Sequence, residues 1–509
     1  MSNLLLQTIG QTRLELIQKL GLEDKIENIL DQIEDEEMTQ EDGWQKIRGL
    51  LQIQKMKIEE ENQKPGLSFE QFKELIDDGD FVEARGRLEY SQSGEASLFV
   101  QNLKILTKAL QPIPEKFEDK EMRFRQRYID MLVNPEVRTL LEAKGRFWTG
   151  IKDFMDTNNF VQVFVPIMQE TTGGAEANPF VTHHDALDED FYLGISPELH
   201  LKRMIVGGFE KIYDLGRNFR NEGIDDEHLQ EFNRIEFYWA YASHEDLMNF
   251  SEDLIKFALE KAFGTLNLVY KSKNEKGEFD GKETHVNWNE KWPKMSYYDF
   301  IKHYGKVDLV GKNEAELTEI ATNLGIKFET GASFGRLTDL IYKKVARPKC
   351  ITPTWLIDIP TRLSPLAKRH PKNPEITLRS HLLAYGSEMT NGFAELNDPL
   401  DQLERFGEQQ AARDGGDDEA MMTDYDFVNA LEIGMPPTVG FGLSERLFDL
   451  VANVTMRDAS TFPLMRKKKN EKLTDKLIDK SKNTSNNSVE IEQIDKKPTK
   501  KVEKNIDEN

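Results

Sequence analysis

Two runs of alternating residues, 211–220 and 231–241, constrain this chain more than any other feature. Successive side chains of a strand point to opposite faces, so parity alone sorts them. In "EFNRIEFYWAY", Phe232, Arg234, Glu236 and Tyr238 share one face, and Ile235, Phe237, Trp239 and Tyr241 share the other. The second set is a core face. The first, with an aromatic ring, two charges and a phenol, is a poor core and a good pocket wall. In "KIYDLGRNFR", Gly216, Asn218 and Arg220 lie opposite Tyr213, Leu215 and Phe219, a parity that makes Arg217 structural. Residues 221–230 would link two antiparallel strands and place Arg220 and Glu222 at the loop mouth. For an isolated hairpin, a salt-bridged surface ribbon is an equally good reading.

Two further stretches weigh on that choice. "GSEMTNGFAELND" (386–398) puts Asn391, Phe393 and Glu395 on one face of another strand. Taken alone, that Glu would be solvated. In "PPTVGFGLSERLFDLVANV" (436–454) the glycines allow close backbone approach, and a helix is predicted with Ser444 as N-cap and Arg446 in its first turn. A cation there opposes the helix dipole unless an anion compensates, so Arg446 points to an anionic ligand.

Other chemistry is excluded. The chain has neither a G-x-x-x-x-G-K-[ST] loop nor a G-x-G-x-x-G fingerprint, and "GLSER" is not a hydrolase elbow. His183 and His184 are adjacent, lack helical zinc spacing, and are expected as hydrogen-bonding loop residues. The single cysteine, Cys350, allows no disulfide framework or cysteine zinc cluster and points to a reducing compartment. A formal net charge of −23 argues against unspecific nucleic-acid binding, so a nucleic-acid partner needs a specific surface. With no basic leader and no apolar run of about 20 residues, the expectation is a cytoplasmic protein without membrane contact.

The 509 residues divide by texture. Residues 1–50 read as an acidic helical segment. Residues 51–110 alternate as strands, in "LQIQKMKI", "DFVEARGRLEY" and "EASLFVQNLKIL", with "SQSGE" as a turn, and suggest a small β-rich domain. A proline-bearing linker follows at 111–120. The main domain, 121–466, opens with a predicted helix at 136–159 and the run "FVQVFVPIM" (160–168), and holds an insertion at 265–350. The Lys-rich tail 467–509 is predicted to be disordered.

These segments, in this order, resemble the signature motifs of the class II aminoacyl-tRNA synthetases, and among them the lysine-specific members. "FVQVFVPIM" with Pro166 is similar to motif 1, "GRNFRNEG…HLQEFNRIEFYWAYA" to motif 2, and "GFGLSERL…RDASTFPLMR" to motif 3. The runs "TTGGAEANPFVTHHDALDEDFYLGISPELHLKRMIVGGFEKIYDLGRNFRNEGI" and "GSEMTNGFAELNDP" carry the lysine subtype. The resemblance covers 120–466 closely and 51–119 weakly. It implies an α+β fold, an antiparallel sheet flanked by helices with a partial OB-like domain in front, and a homodimer formed through the motif 1 region.

The resemblance also implies roles. Arg220 and Arg446 would be the catalytic cations. Arg220, Glu222, His228, Phe232, Glu388 and Arg446 would hold ATP, with Glu388 on Mg²⁺. Gly174 and Glu198 would take the α-amino end of L-lysine, and Arg220 its carboxylate. Glu236, Tyr238 and Glu395 would surround its ε-ammonium, with Asn391 and Phe393 lining the site. The implied reaction makes lysyl-adenylate from lysine and ATP, then charges tRNA(Lys).

Four features depart from that family's pattern. His381 stands where relatives carry a metal-binding Glu, Glu227 stands where they carry Arg, and the motif 3 glycine run is one residue short. Acidic helical text replaces the first two OB strands, and residues 1–80 hold 19 acidic and 9 basic side chains. The alternatives are a paralogue that transfers lysine to a protein and an inactive regulatory protein.

Overall fold

The computed structural model describes residues 74–223, 228–274, 279–329, 332–414 and 420–466, with scattered positions between 25 and 46. The readings of 51–58, of the tail 467–509 and of Glu227 lie outside the described residues. The described residues up to Thr461 belong to one compact unit, which holds everything described below.

The two alternating runs form the predicted hairpin. Lys211–Phe219 pairs antiparallel with Glu231–Ala240, from Lys211 opposite Trp239 to Phe219 opposite Glu231. Around it grows a nine-stranded mixed sheet. Its path runs Lys294–Ser296, Thr354–Ile357, Arg379–Ala384, Thr390–Ala394, Thr438–Ser444, Glu231–Ala240, Lys211–Phe219 and Val161–Gln162. The short strand Ser387–Glu388 folds back on Arg379–Ala384. Pairing is antiparallel except at the two edges. The expected α+β class with an antiparallel sheet is what the chain adopts.

Two helices, Pro135–Thr157 and His244–Phe263, cover one face of the sheet. Proline opens the first at a position where its missing N–H costs nothing. A Ser243/Asp246 capping box opens the second, and Gly264 at φ +72° ends it. Ile235 and Phe237 reach this layer from the central hairpin and are fully buried. The opposite face packs Tyr238 and Phe393 against the helices Glu198–Val206 and Tyr425–Ile433. A third core gathers around Tyr297, Phe300, Ile341 and Tyr342, within the stretch expected as an insertion and its flanks.

Two local expectations need correction, and the run 160–168 proves to be divided. Only Val161–Gln162 and Met168–Gln169 pair, in different sheets, and Pro166, which has no N–H to donate, sits in the gap. His183 and His184 belong to the strand Val181–His184 instead of a loop, with His183 Nδ1 2.9 Å from Asp190. Tyr241 leaves the core face because the strand ends at Ala240; its φ of 65° turns the chain and leaves the ring exposed.

In front of this body stands a hairpin, Phe81–Tyr90 with Ala96–Thr107, joined by the turn expected at 91–95. Residues 111–118 carry no helix or strand, and a helix starts at Lys120.

Candidate functional site

Cross-strand register, more than any one segment, builds the site. Glu236 lies opposite Gly442, and Gly442 opposite Asn391; one step along, Tyr238 lies opposite Gly440, and Gly440 opposite Phe393. Phe393 in turn faces Arg379. The space over the two glycines is taken by neighbours: a Cβ at Gly440 would meet Glu395 and the Tyr238 ring, and one at Gly442 would meet Glu236 at 3.3 Å. The resulting cavity has a volume of about 410 Å³.

Glu222, His228 and Phe232 line it beside Arg220, whose guanidinium lies 5.2 Å from the Phe232 ring centroid. Burial lowers the pKa of Arg220 against the pull of Glu222 and Glu236, and its Nε is buried without a hydrogen-bond partner. Phe232 to Tyr238 spans six residues of strand, about 20 Å, so one strand reaches from this cation to the acidic part of the cavity.

Glu236 and Tyr238 line that part with Glu198, Gly174, Asn391 and Phe393. Ser196 donates to both oxygens of Glu236, at 3.2 and 3.3 Å, and accepts from the Glu198 N–H. Burial lifts the Glu236 carboxyl to about 7, opposed by Arg234 3.9 Å away. Arg234 itself is committed to Asp214 at 2.6 Å and Asn218 at 2.9 Å. Gly174 turns at φ +81°, and a Cβ there would lie 2.8 Å from both Glu198 and Ser196. Only glycine fits.

Glu395 is placed differently from its neighbours. It follows the strand Thr390–Ala394, is almost fully buried, and does not line the cavity itself. Its Oε2 is ion-paired to Lys202. Its Oε1 lies over Gly440, in the space a Cβ would take, with the Tyr238 ring beside it.

Arg446 lines the cavity from another side and donates to Ser387 Oγ at 3.2 Å. The N-cap before it is Glu445, which corrects the assignment to Ser444. Ser444 stays in the strand opposite Arg234, while the Glu445 carboxylate binds Asn233 and Lys144. Glu388 adjoins Ser387, partly exposed, 3.9 Å from Arg347. Burial pushes its pKa up, but His381, Arg347 and Lys343 outweigh that and hold it below the usual carboxylate range.

Sequence reading missed three contributors. Arg379 is fixed by Asn391 Oδ1 at 2.9 Å and by Ser364 Oγ at 3.2 Å, and lines the cavity. Its parity with His381 on one strand was the available signal. Lys202, four residues after Glu198 on a helix, has the spacing of an ordinary surface pair. Ser196 carried no signal.

Among the described residues no group of three His, Cys, Asp or Glu side chains is set to hold a metal, and no helix is long and apolar enough to cross a membrane.

A family model described as tRNA synthetases class II (D, K and N) matches residues 119–466. The lysine–tRNA ligase of Carboxydothermus hydrogenoformans is 42% identical over 399 residues, covering 77% of this chain and 80% of that one. That of Prochlorococcus marinus is 42% identical over 419 residues, 80% of each chain. That of Cronobacter sakazakii is 43% identical over 408 residues, covering 79% of this chain and 78% of its own.

Proposed function

The chain belongs to the class II tRNA synthetases, and from that premise we propose that it is a lysine–tRNA ligase acting on L-lysine, ATP and tRNA(Lys). The observation that carries this reading is the charge layout of the cavity. Arg220 and Arg446 supply cations for phosphate and carboxylate, while Glu198, Glu236 and Tyr238 supply acceptors for ammonium groups. The curated relatives bear the same activity in their names.

On this reading the lysine carboxylate attacks the α-phosphorus of ATP and pyrophosphate leaves. A terminal ribose hydroxyl of tRNA then attacks the acyl carbon of the adenylate, and AMP leaves. Arg220 meets the growing charge at phosphorus and orients the carboxylate, so most of the acceleration comes from positioning and fixed charge. Phe232 stacks on adenine, Glu222 accepts from its amino group, His228 lies nearby, and Arg446 covers the other face and reaches the γ-phosphate. Gly174 and Glu198 hold the α-ammonium. Glu236, Tyr238 and Glu395 hold the ε-ammonium, with Asn391 and Phe393 beside them.

Magnesium fits here as a companion of the nucleotide. Glu388 is ionised and accessible, but one carboxylate leaves most of a six-oxygen shell to phosphates and water. Bound there, Mg²⁺ would neutralise charge on the phosphates. His381 donates from Nδ1 to the Thr390 carbonyl at 2.9 Å, so that nitrogen is committed to the backbone. A homodimer is supported by the exposure of Val161, Phe164, Ile167 and Met168 in the motif 1 region. The cytoplasm, where tRNA is charged, is the proposed place of action.

Lysine-dependent ATP–pyrophosphate exchange, followed by charging of tRNA(Lys), tests the reading. Exchange and charging are both expected. Absence of exchange would overturn it, and exchange without charging would favour transfer of lysine to another acceptor.

A further inference from the structure

Behind the acidic part of the cavity lies a cation that the reaction above does not use. Lys202 is fully buried. Its ammonium is 2.6 Å from Glu198 Oε1 and is ion-paired to Glu395 Oε2. The rings of Phe393 and Phe427 close around it at 5.4 and 5.7 Å. Burial works against this charge, yet the two carboxylates outweigh it and hold the pKa above the ordinary lysine value. Lysines are almost never fully buried unless paired, and this one is paired twice.

The pairing is one-sided in a useful way. Lys202 takes one oxygen from each carboxylate. Glu198 remains in the cavity wall, and Glu395 keeps Oε1 over Gly440, beside the Tyr238 ring. Burial pushes the Glu395 carboxyl well above its ordinary range, and Lys202 opposes that. Without Lys202 this buried carboxylate would lose its ion-pair partner, which is costly.

We propose that Lys202 is a positioning residue for amino-acid selection: by holding one oxygen of Glu198 and one of Glu395, it sets the separation of the α-ammonium and ε-ammonium sites, and so the length of diamino acid the cavity accepts. The inference rests on the reading of the cavity as a lysine pocket. It differs from a merely structural cross-link because a cross-link would leave selection between lysine and its shorter homologue unchanged.

The test uses the full chain with Lys202→Met and Lys202→Arg, measured by ATP–pyrophosphate exchange with lysine and with ornithine, which is one methylene shorter. In Lys202→Met the KM for lysine is expected to rise about tenfold or more and the lysine-to-ornithine ratio of kcat/KM to fall about tenfold, the scale of one methylene, while the KM for ATP holds within about twofold. Lys202→Arg keeps the charge but not the position of the ammonium. It is expected to fold and to lose the same discrimination, so it carries the test if the Met variant fails to fold. A wild-type ratio in the folded variants, or lysine and ATP KM values rising together, would overturn the proposal. Wild-type protein that fails to activate lysine at all would overturn the lysine-ligase reading, and this inference with it; wild type that activates lysine while the variants keep its ratio overturns this inference alone.

Discussion

At the scale of single residues, the two acidic side chains meant for one ammonium differ in their surroundings. Glu395 is tied to Lys202, whereas the partners of Glu236 among the described residues include Ser196, Tyr238 at 3.5 Å and a distant, committed Arg234. Glu395→Gln is expected to raise the KM for lysine about 10- to 100-fold, the size of a lost charged hydrogen bond, and to leave that for ATP nearly unchanged. Steady-state exchange kinetics check this, and equal effects on both substrates would remove Glu395 from the ammonium site. Glu236 supplies a pH dependence. Its carboxyl stands at about 7 in the folded chain against an ordinary 4.5, raised first by burial. Between those values the folded chain keeps a proton that the unfolded chain has released, so this group's ionisation weakens the free protein as pH rises through that window. Lysine binding needs the ionised form. The KM for lysine should therefore fall as pH rises from about 6 to about 8, and Glu236→Gln should flatten the profile. A flat wild-type profile would count against the assignment.

At the scale of elements, capping and register do most of the positioning. Helix His244–Phe263 supports the back of the sheet, and Ser243 accepts from the Asp246 N–H while Asp246 accepts in return. Ser243→Ala should cost about 1 kcal/mol of stability in denaturant unfolding and leave exchange activity intact. Much of this scale was legible beforehand. Period-two parity sorted Phe232, Glu236 and Tyr238 from Ile235 and Phe237, and it set Arg217 aside; Arg217 is indeed exposed and paired with Glu231. Where parity failed, an element ended. Tyr241 lies one residue past its strand, and Glu445, not Ser444, begins the short helix because the strand pairing continues through Ser444. Alternation predicts faces and says nothing about where a strand stops.

At the scale of the whole molecule, four apolar side chains of the motif 1 region are exposed. Val161, Ile167 and Met168 are about half exposed, and Phe164 is 82% exposed. Exposed apolar side chains gathered in one segment are what a subunit interface would cover. Sedimentation should give a two-chain particle, and Phe164→Asp should shift it toward one chain. A wild-type single chain would remove the dimer from the proposal.

The sequence alone determined the faces of the central hairpin, the three motif segments and the family they resemble, because these depend on local alternation and on residues near one another in the chain. Only the tertiary structure decided which side chains share the cavity floor and which carboxylate is already neutralised. Glu236, Gly442 and Asn391 meet through strand register. Lys202 reaches Glu395 because a helix packs against the sheet. An i, i+4 Glu–Lys pair reads the same in sequence whether it faces water or core. Burial, which packing alone sets, turns this one into a fixed charge at the back of the site.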